Sequence, residues 1–308
     1  MNELIPDALE GERIDRVVAM VADVSRSRAA TLIADGQVLL DDRAVGSRST
    51  RVSGGQTLTI RGGIDAEPTE LAADPSVELT LLHVDDDVLV IDKAPGQVVH
   101  PGAGNTMGTI AQGVLARYPE VRTVGEPDRP GVVHRLDKGT SGVFMMARSA
   151  RAHESLSEQL HDRLVERQYL TVAWGEPEAK EGLIDAPIGR AVRDPTRMTV
   201  REDGKVARTN YRVLRTWRSP KAALITCVLD TGRTHQIRVH LDAIGHPVVG
   251  DTRYGGGRSG QDIDRPALHA AELGFEHPAT GEWLRFESPL PADMAALIDS
   301  YGAPEWER

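Results

Sequence analysis

The chain has 308 residues, 40% hydrophobic and 27% charged, and a formal net charge of −10 at pH 7. That composition is ordinary for a globular protein with room for two domains, and the acidic balance excludes a protein that coats nucleic acid through a broadly basic surface. A single cysteine, Cys227 in an apolar run, excludes internal disulfides and multi-cysteine zinc sites; no apolar run approaches the roughly 18 residues of a membrane span, the start is acidic and unlike a signal peptide, and a cytoplasmic protein without membrane partners is expected.

Residues 12–60 form the first predicted unit. Ile14, Val17, Val18 and Val21 recur at helical spacing. Ser25 is placed to cap a second helix over 26–35, which Gly36 would end. That helix carries Ala29, Leu32 and Ile33 on one side and Arg26 and Arg28 at its start. A strand over 37–40 then turns at Asp41-Asp42 into Ala44-Val45, and 56–60 supplies another strand. A helix with arginines at its N-terminus, set on a small sheet, is a layout that can lie along an RNA backbone.

Residues 61–76 contain Gly, Pro and acidic residues without periodicity, and the expectation is a linker. A larger domain is expected over 77–300. Residues 79–84 and 88–91 flank Asp85-Asp86-Asp87 as a hairpin, and 143–147 is another strand. Leu156, Leu160 and Leu164 recur every four residues, which predicts an amphipathic helix over 152–165 with His153 and His161 on its solvated face. Residues 169–174, 208–217 and 222–229 are strand-like, and Gly245 would end a helix that starts in the 232–244 segment. Strands mostly follow one another with few helices between them. This argues for an α+β fold on a largely antiparallel mixed sheet, not a doubly wound one.

Four segments carry chemistry: Asp92-Lys93-Ala94-Pro95-Gly96 with His100-Pro101-Gly102; His134 to Gly142; Arg167-Gln168-Tyr169; and Thr231 to His240. Each joins a strand to a turn and places a polar or cationic group there, where sites are commonly built. The second sets one carboxylate, Asp137, among His134, Arg135 and Lys138. Positive neighbours favour the charged form of a carboxylate, and a positioned carboxylate can act as nucleophile or base. The surrounding cations suit a substrate with phosphates.

Residues 12–60 resemble the small RNA-binding domain first described in the small-subunit ribosomal protein S-four, the αL motif. The resemblance rests on Arg13-Ile14-Asp15-Arg16, Ser25-Arg26-Ser27-Arg28, Leu32-Ile33, Gly36-Gln37-Val38 and Gly54-Gly55-Gln56. From about Leu79 to Leu290 the chain resembles the RluA/RluD-type RNA pseudouridine synthases. That resemblance is carried by His134-Arg135-Leu136-Asp137, Gly139-Thr140-Ser141-Gly142 and Gly232-Arg233-Thr234-His235-Gln236-Ile237-Arg238. Ala94 departs from the family pattern in the Lys93 loop.

The resemblance implies a fold, an activity and residue roles. Asp137 would be the catalytic carboxylate and Arg238 its ion-pair partner. Tyr169 would lie against the target uracil and take or relay the proton lost from C5. Ile237 would be part of the pocket wall, and Arg135 would contact RNA or fill the space of the flipped base. His134, Arg233 and His235 in the large domain, and Arg13, Arg26 and Arg28 in the small one, are the remaining RNA-binding candidates. Isomerisation conserves atoms, so no cofactor and no metal are expected. The implied partner is RNA, large-subunit ribosomal RNA or an assembling ribosomal particle, with the protein acting as a monomer. At the sugar, attack at the anomeric carbon and removal of the neighbouring proton stay open.

Three alternatives remain: a non-catalytic RNA-binding or ribosome-assembly factor, the same activity on transfer RNA, and a glycosidic-bond hydrolase, which would ordinarily use two carboxylates. Gly255-Gly256-Gly257-Arg258-Ser259-Gly260 matches a dinucleotide fingerprint letter for letter, but it follows no strand and opens no helix, and a loop is expected.

Overall fold

The computed structural model describes residues 1–22, 24, 26–61, 71–102, 105–191, 194, 197–258 and 263–308, with the backbone alone at 26 and 27. Ser25, the Arg26 side chain, most of the expected linker, and Ser259 and Gly260 lie outside the described residues. The chain divides into two compact units, Met1–Glu70 and Leu71–Arg308.

The first unit holds β1 (Asn2–Leu4), α1 (Ile14–Val21), α2 (Arg26–Ala34), β2 (Val38–Leu40), β3 (Arg43–Ala44) and β4 (Thr57–Ile60). Its sheet runs β1-β4-β2-β3, antiparallel throughout. Ile14, Val17, Val18, Leu32 and Ile33 meet Val38, Leu40, Leu58 and Ile60 in one buried cluster, so the apolar stripe read from the sequence is the core face. Asp41 and Asp42 both take positive φ, 48° and 62°. This is the mirror-image turn whose twist suits a two-residue hairpin, and Asp tolerates that conformation better than most residues. The first unit is wider than the expected 12–60, because β1 adds an edge strand before it.

The second unit is built on a sheet of ten strands. In chain order it contains β5 (Thr80–Val84), β6 (Val88–Lys93), α3 (Ile110–Arg117), a small ribbon of β7 (Gly125–Glu126) and β8 (Arg129–Pro130), β9 (Ser141–Ala147), α4 (Ala150–His161) and β10 (Glu166–Trp174). Then follow β11 (Glu181–Asp185), a second ribbon of β12 (Ile188–Arg190) and β13 (Met198–Val200), β14 (Arg208–Arg218), β15 (Lys221–Leu229), α5 (Gln236–Ala243), β16 (Leu268–Glu276), β17 (Trp283–Glu287), α6 (Ala292–Ser300) and β18 (Trp306–Glu307). The order is β11-β14-β15-β10-β16-β9-β6-β5, with β17 on β16 and β18 on β14. Every pair is antiparallel except β9 with β16, which run parallel through Ser141 and Gly142. The expected α+β class with a mainly antiparallel mixed sheet is what the chain adopts.

Two sequence expectations need correction. The 152–165 helix ends at His161, with Asp162 as its C-cap and Arg163 at φ 65°. Leu164, which completed the every-four pattern, is therefore exposed, while Val165 is buried on the way into β10. The linker and domain boundary also shifts. Leu71 is buried in the core of the larger unit and Asp74 N–H bonds the Gln112 carbonyl, so 71–76 pack with that unit, which runs on past residue 300 to the end of the chain.

Candidate active site

Asp137 sits in the loop that leads into β9, and three clamps hold this loop. The Lys93 ammonium at the end of β6 is fully buried and donates to the carbonyls of Ala94 (3.0 Å), Gln97 (2.9 Å) and Lys138 (3.3 Å). Burial pushes its pKa down to about 7, with the Asp137 charge opposing that shift. Arg265 donates to the Gly139 carbonyl (2.9 Å) and is itself held by both oxygens of Asp293 (2.6 and 2.8 Å). Ser141 Oγ meets His269 Nδ1 at 3.0 Å, and His269 Nε2 meets the Ser288 carbonyl at 3.0 Å. Gly142 completes the seat. Its φ is +110°, and a Cβ there would overlap the Ala270 carbonyl of the parallel neighbour β16. Only glycine lets the two strands approach at the point where the motif loop becomes strand.

The opposing wall is α5. Gln236 anchors its entry: Oε1 accepts from Thr231 Oγ1 (2.7 Å) and the Arg233 N–H (3.0 Å), while Nε2 donates to the Arg208 carbonyl (2.9 Å) and Thr209 Oγ1 (3.0 Å). This seats Arg238, two residues later, facing the Asp137 loop. Arg238 Nη1 donates to Asp137 Oδ2 at 3.0 Å. Its other edge is taken by Asp251, with Nε to Oδ2 at 2.6 Å and Nη2 to Oδ1 at 3.0 Å. Burial works against the guanidinium charge, but the bonds to Asp251 and Asp137 outweigh it and raise the Arg238 pKa. The pairing expected of Arg238 is thus present, and Asp251 is a partner that the sequence reading missed.

His235 precedes α5 in the left-handed region at φ 58°. Its Nδ1 lies 2.8 Å from the Tyr254 hydroxyl, whose oxygen also accepts the Met198 N–H at 3.0 Å. The hydroxyl hydrogen is then free to point at Nδ1, and that tautomer turns Nε2–H toward Asp137 Oδ1, 3.9 Å away. Burial lowers the His235 pKa, with Asp137 opposing.

Between the walls lies a cavity of about 400 Å³, lined among others by Arg135, Asp137, Tyr169, Ile237 and Leu268. This is within the usual size range of small-molecule sites. Its lining residues include four arginines (135, 167, 233 and 238) and one carboxylate, Asp137. This cavity is cationic although the chain as a whole is acidic. Tyr169 is buried in β10, and burial raises its phenol pKa, with Arg167 opposing and Asp137 adding. Ile237 is buried in the wall.

The remaining candidates separate. Arg135 is exposed at the cavity and its Nη1 approaches His100 Nε2 at 3.2 Å. Arg233 donates to the Val206 carbonyl (3.0 Å) and lines the cavity. His134 also lines it, but its Nε2 accepts the Met145 N–H (3.1 Å) and burial pushes its pKa down to about 3. That nitrogen is engaged in holding β9, while the residue keeps its place in the cavity lining. His161, assigned to a solvated face, is exposed at the cavity rim. In the first unit Arg13 is held by both oxygens of Asp15 (3.0 and 2.8 Å), so its guanidinium is paired with a carboxylate in the first turn of its own helix; Arg28 is half-buried on α2. Among the described residues no group of three or more His, Cys, Asp and Glu could hold a metal ion, and no helix is long and apolar enough to cross a membrane.

Comparison with known proteins places the chain in a family. Residues 87–243 match the RNA pseudouridylate synthase family, and residues 12–58 match the S4 domain. An uncharacterised RNA pseudouridine synthase of Bacillus subtilis is 43% identical over 304 residues, covering 97% of this chain and 98% of that protein. The ribosomal large subunit pseudouridine synthase D of Xanthomonas campestris is 43% identical over 310 residues, covering 96% and 91%. Among solved structures, human RNA pseudouridylate synthase domain containing 1 superposes with a TM-score of 0.57 at 25% identity, covering 78% of this chain and all of that one. The chain belongs to the RNA pseudouridine synthase family, enzymes of the isomerase class, with an N-terminal S4 domain.

Proposed function

We propose that this protein isomerises specific uridines of large-subunit ribosomal RNA, with Asp137 as the catalytic carboxylate and the target base flipped into the cavity. The observation that carries the proposal is the Arg238–Asp137 ion pair at 3.0 Å inside a cavity with no second carboxylate in its lining. A hydrolase of the common two-carboxylate design lacks its second group here. A purely RNA-binding protein has no use for a fixed anion in a cationic pocket, since that anion repels phosphate.

The chemistry requires the C1′–N1 bond to break, a C1′–C5 bond to form, the C5 proton to leave and N1 to gain a proton. Arg238 fixes the direction of Asp137 Oδ2 and leaves Oδ1 facing the cavity. A carboxylate so placed can attack C1′ or take the C2′ proton. Tyr169, protonated and against the base, orients the ring and relays the C5 proton to water, giving up its own hydroxyl proton as it takes the one from C5, while N1 gains its proton from water. A base must leave its stack to reach Asp137, at a cost of a few kcal/mol that looped RNA lowers. Relatives named for the ribosomal large subunit support the choice of RNA.

Pseudouridine mapping on ribosomal RNA from cells lacking this protein tests the proposal. Sites should vanish in the deletion strain, return with wild type, and stay absent with Asp137→Asn. An unchanged ribosomal map overturns the substrate assignment and directs the search to transfer RNA.

A further inference from the structure

Arg167 enters β10 two residues before Tyr169, so both side chains fall on the same face of the strand. It is 6% exposed and lines the cavity. Buried arginines are ordinarily neutralised by a carboxylate, and this one is not. Its Nε is buried without a hydrogen-bond partner, and its one bond is a long contact from Nη2 to the Leu229 carbonyl at 3.4 Å. No ion pair to it occurs among the described residues. The carboxylate whose field reaches it, Asp230, accepts instead from Asn210 Nδ2 at 3.1 Å. Gly232 makes room for the guanidinium: a Cβ there would lie 2.8 Å from Arg167 Nη1. Arg233, next along, adds a second positive charge to the same end of the cavity and pushes against Arg167.

An uncompensated buried guanidinium costs several kcal/mol unless a ligand neutralises it. The missing partner must be an anion that reaches the cavity, and a planar donor fork suits a phosphate. We propose that Arg167 binds a non-bridging oxygen of the phosphate on the nucleotide that enters the cavity. A uracil carbonyl is the weaker candidate, because a neutral acceptor leaves both arginine charges unopposed. The phosphate contact places the nucleotide with its sugar between Arg167 and Asp137 and its base toward Tyr169. The proposal rests on the reading of this cavity as a nucleotide site, but its test does not need isomerisation.

The test is nuclear magnetic resonance of the arginine Nε–H groups of the full chain during titration with uridine 5′-monophosphate and, separately, with uridine. Loss of one resonance in Arg167→Met assigns it; should that variant fail to fold, Arg167→Lys serves the same purpose. The expected result is that the Arg167 Nε–H signal moves with the monophosphate at a concentration at least about 10-fold lower than with uridine, the difference expected for one charge-assisted contact. Equal responses would assign Arg167 to the base or sugar, and no response to either would make it a structural residue; both overturn the proposal. Phosphate preference without pseudouridine formation in the mapping experiment would instead defeat the proposed reaction and leave the phosphate site standing.

Discussion

Asp251→Asn is the perturbation whose outcome follows most directly from the geometry. Asp251 is 1% exposed, and its two oxygens take four donors. Oδ2 accepts Arg238 Nε, and Oδ1 accepts Arg238 Nη2 together with the backbone N–H groups of Arg253 (3.1 Å) and Tyr254 (3.3 Å). Asparagine offers one oxygen and one NH2. If its oxygen keeps the Oδ1 position, the NH2 faces Arg238 Nε. If it takes the Oδ2 position, the NH2 faces two backbone N–H groups and the guanidinium. Either way a donor opposes a donor and the buried guanidinium loses a charge partner. Removing one member of a buried ion pair costs about 3–5 kcal/mol, which for a domain of this size lowers Tm by about 6–20 °C. The same change frees Arg238 from its far anchor, so turnover should fall even at temperatures where the variant is folded. Thermal unfolding followed by circular dichroism, with RNA turnover measured below the transition, reads both effects. A variant with Tm within about 2 °C of wild type and a normal rate would refute the claim that Asp251 holds Arg238 against Asp137.

Other consequences are as direct. Gly142→Ala should destabilise the larger unit by about 3 kcal/mol or more, since it combines a disfavoured positive φ with a clash against β16; urea unfolding measures this, and a loss under about 1 kcal/mol would contradict it. His134 gives a pH signature. Its folded pKa, about 3, lies below its ordinary value of 6.5, so its contribution is present above pH 6.5 and is lost as pH falls toward 3. His134→Gln, which can still accept the Met145 N–H, should flatten the stability–pH slope in that window by up to about 1.4 kcal/mol per pH unit; an unchanged slope would show that His134 does not take up the proton. Deleting residues 1–70 should leave a folded larger unit that still isomerises uridine, but with weaker RNA binding; unchanged kinetics on full-length ribosomal RNA would remove the S4 domain from recognition.

Much of this was legible in the sequence, for identifiable reasons. The stripe Ile14, Val17, Val18 and the Asp41-Asp42 turn are local signals, and local physics decided them. The run from His134 to Gly142 announced a site because it packs cations, a carboxylate and small residues into nine positions. What escaped was non-local. Asp251 lies in Asp251-Thr252-Arg253-Tyr254, which has no pattern of its own; its role appears only when the fold brings it to Arg238. Lys93 and Arg167 were visible as cations at strand ends, but no sequence rule says that either would be buried. Leu164 misled because a four-residue repeat carries no information about where a helix stops; the left-handed Arg163 ends that turn. The edge strand β1, the helices α3 and α6, and the strands β16 and β17 went unread for want of a strong periodic signal.

The central claim is that Asp137 performs the chemistry. Formation of the C1′–C5 bond expels the hydrogen on C5, so RNA made with tritium at uridine C5 releases label to water on each turnover. Wild type and Asp137→Asn should bind that RNA alike and unfold alike, while only wild type releases tritium, with the variant slower by at least about 1000-fold, the order expected for loss of a group essential to the reaction. Release by Asp137→Asn at a rate within about 10-fold of wild type would show that the carboxylate is not the catalyst and would contradict the account.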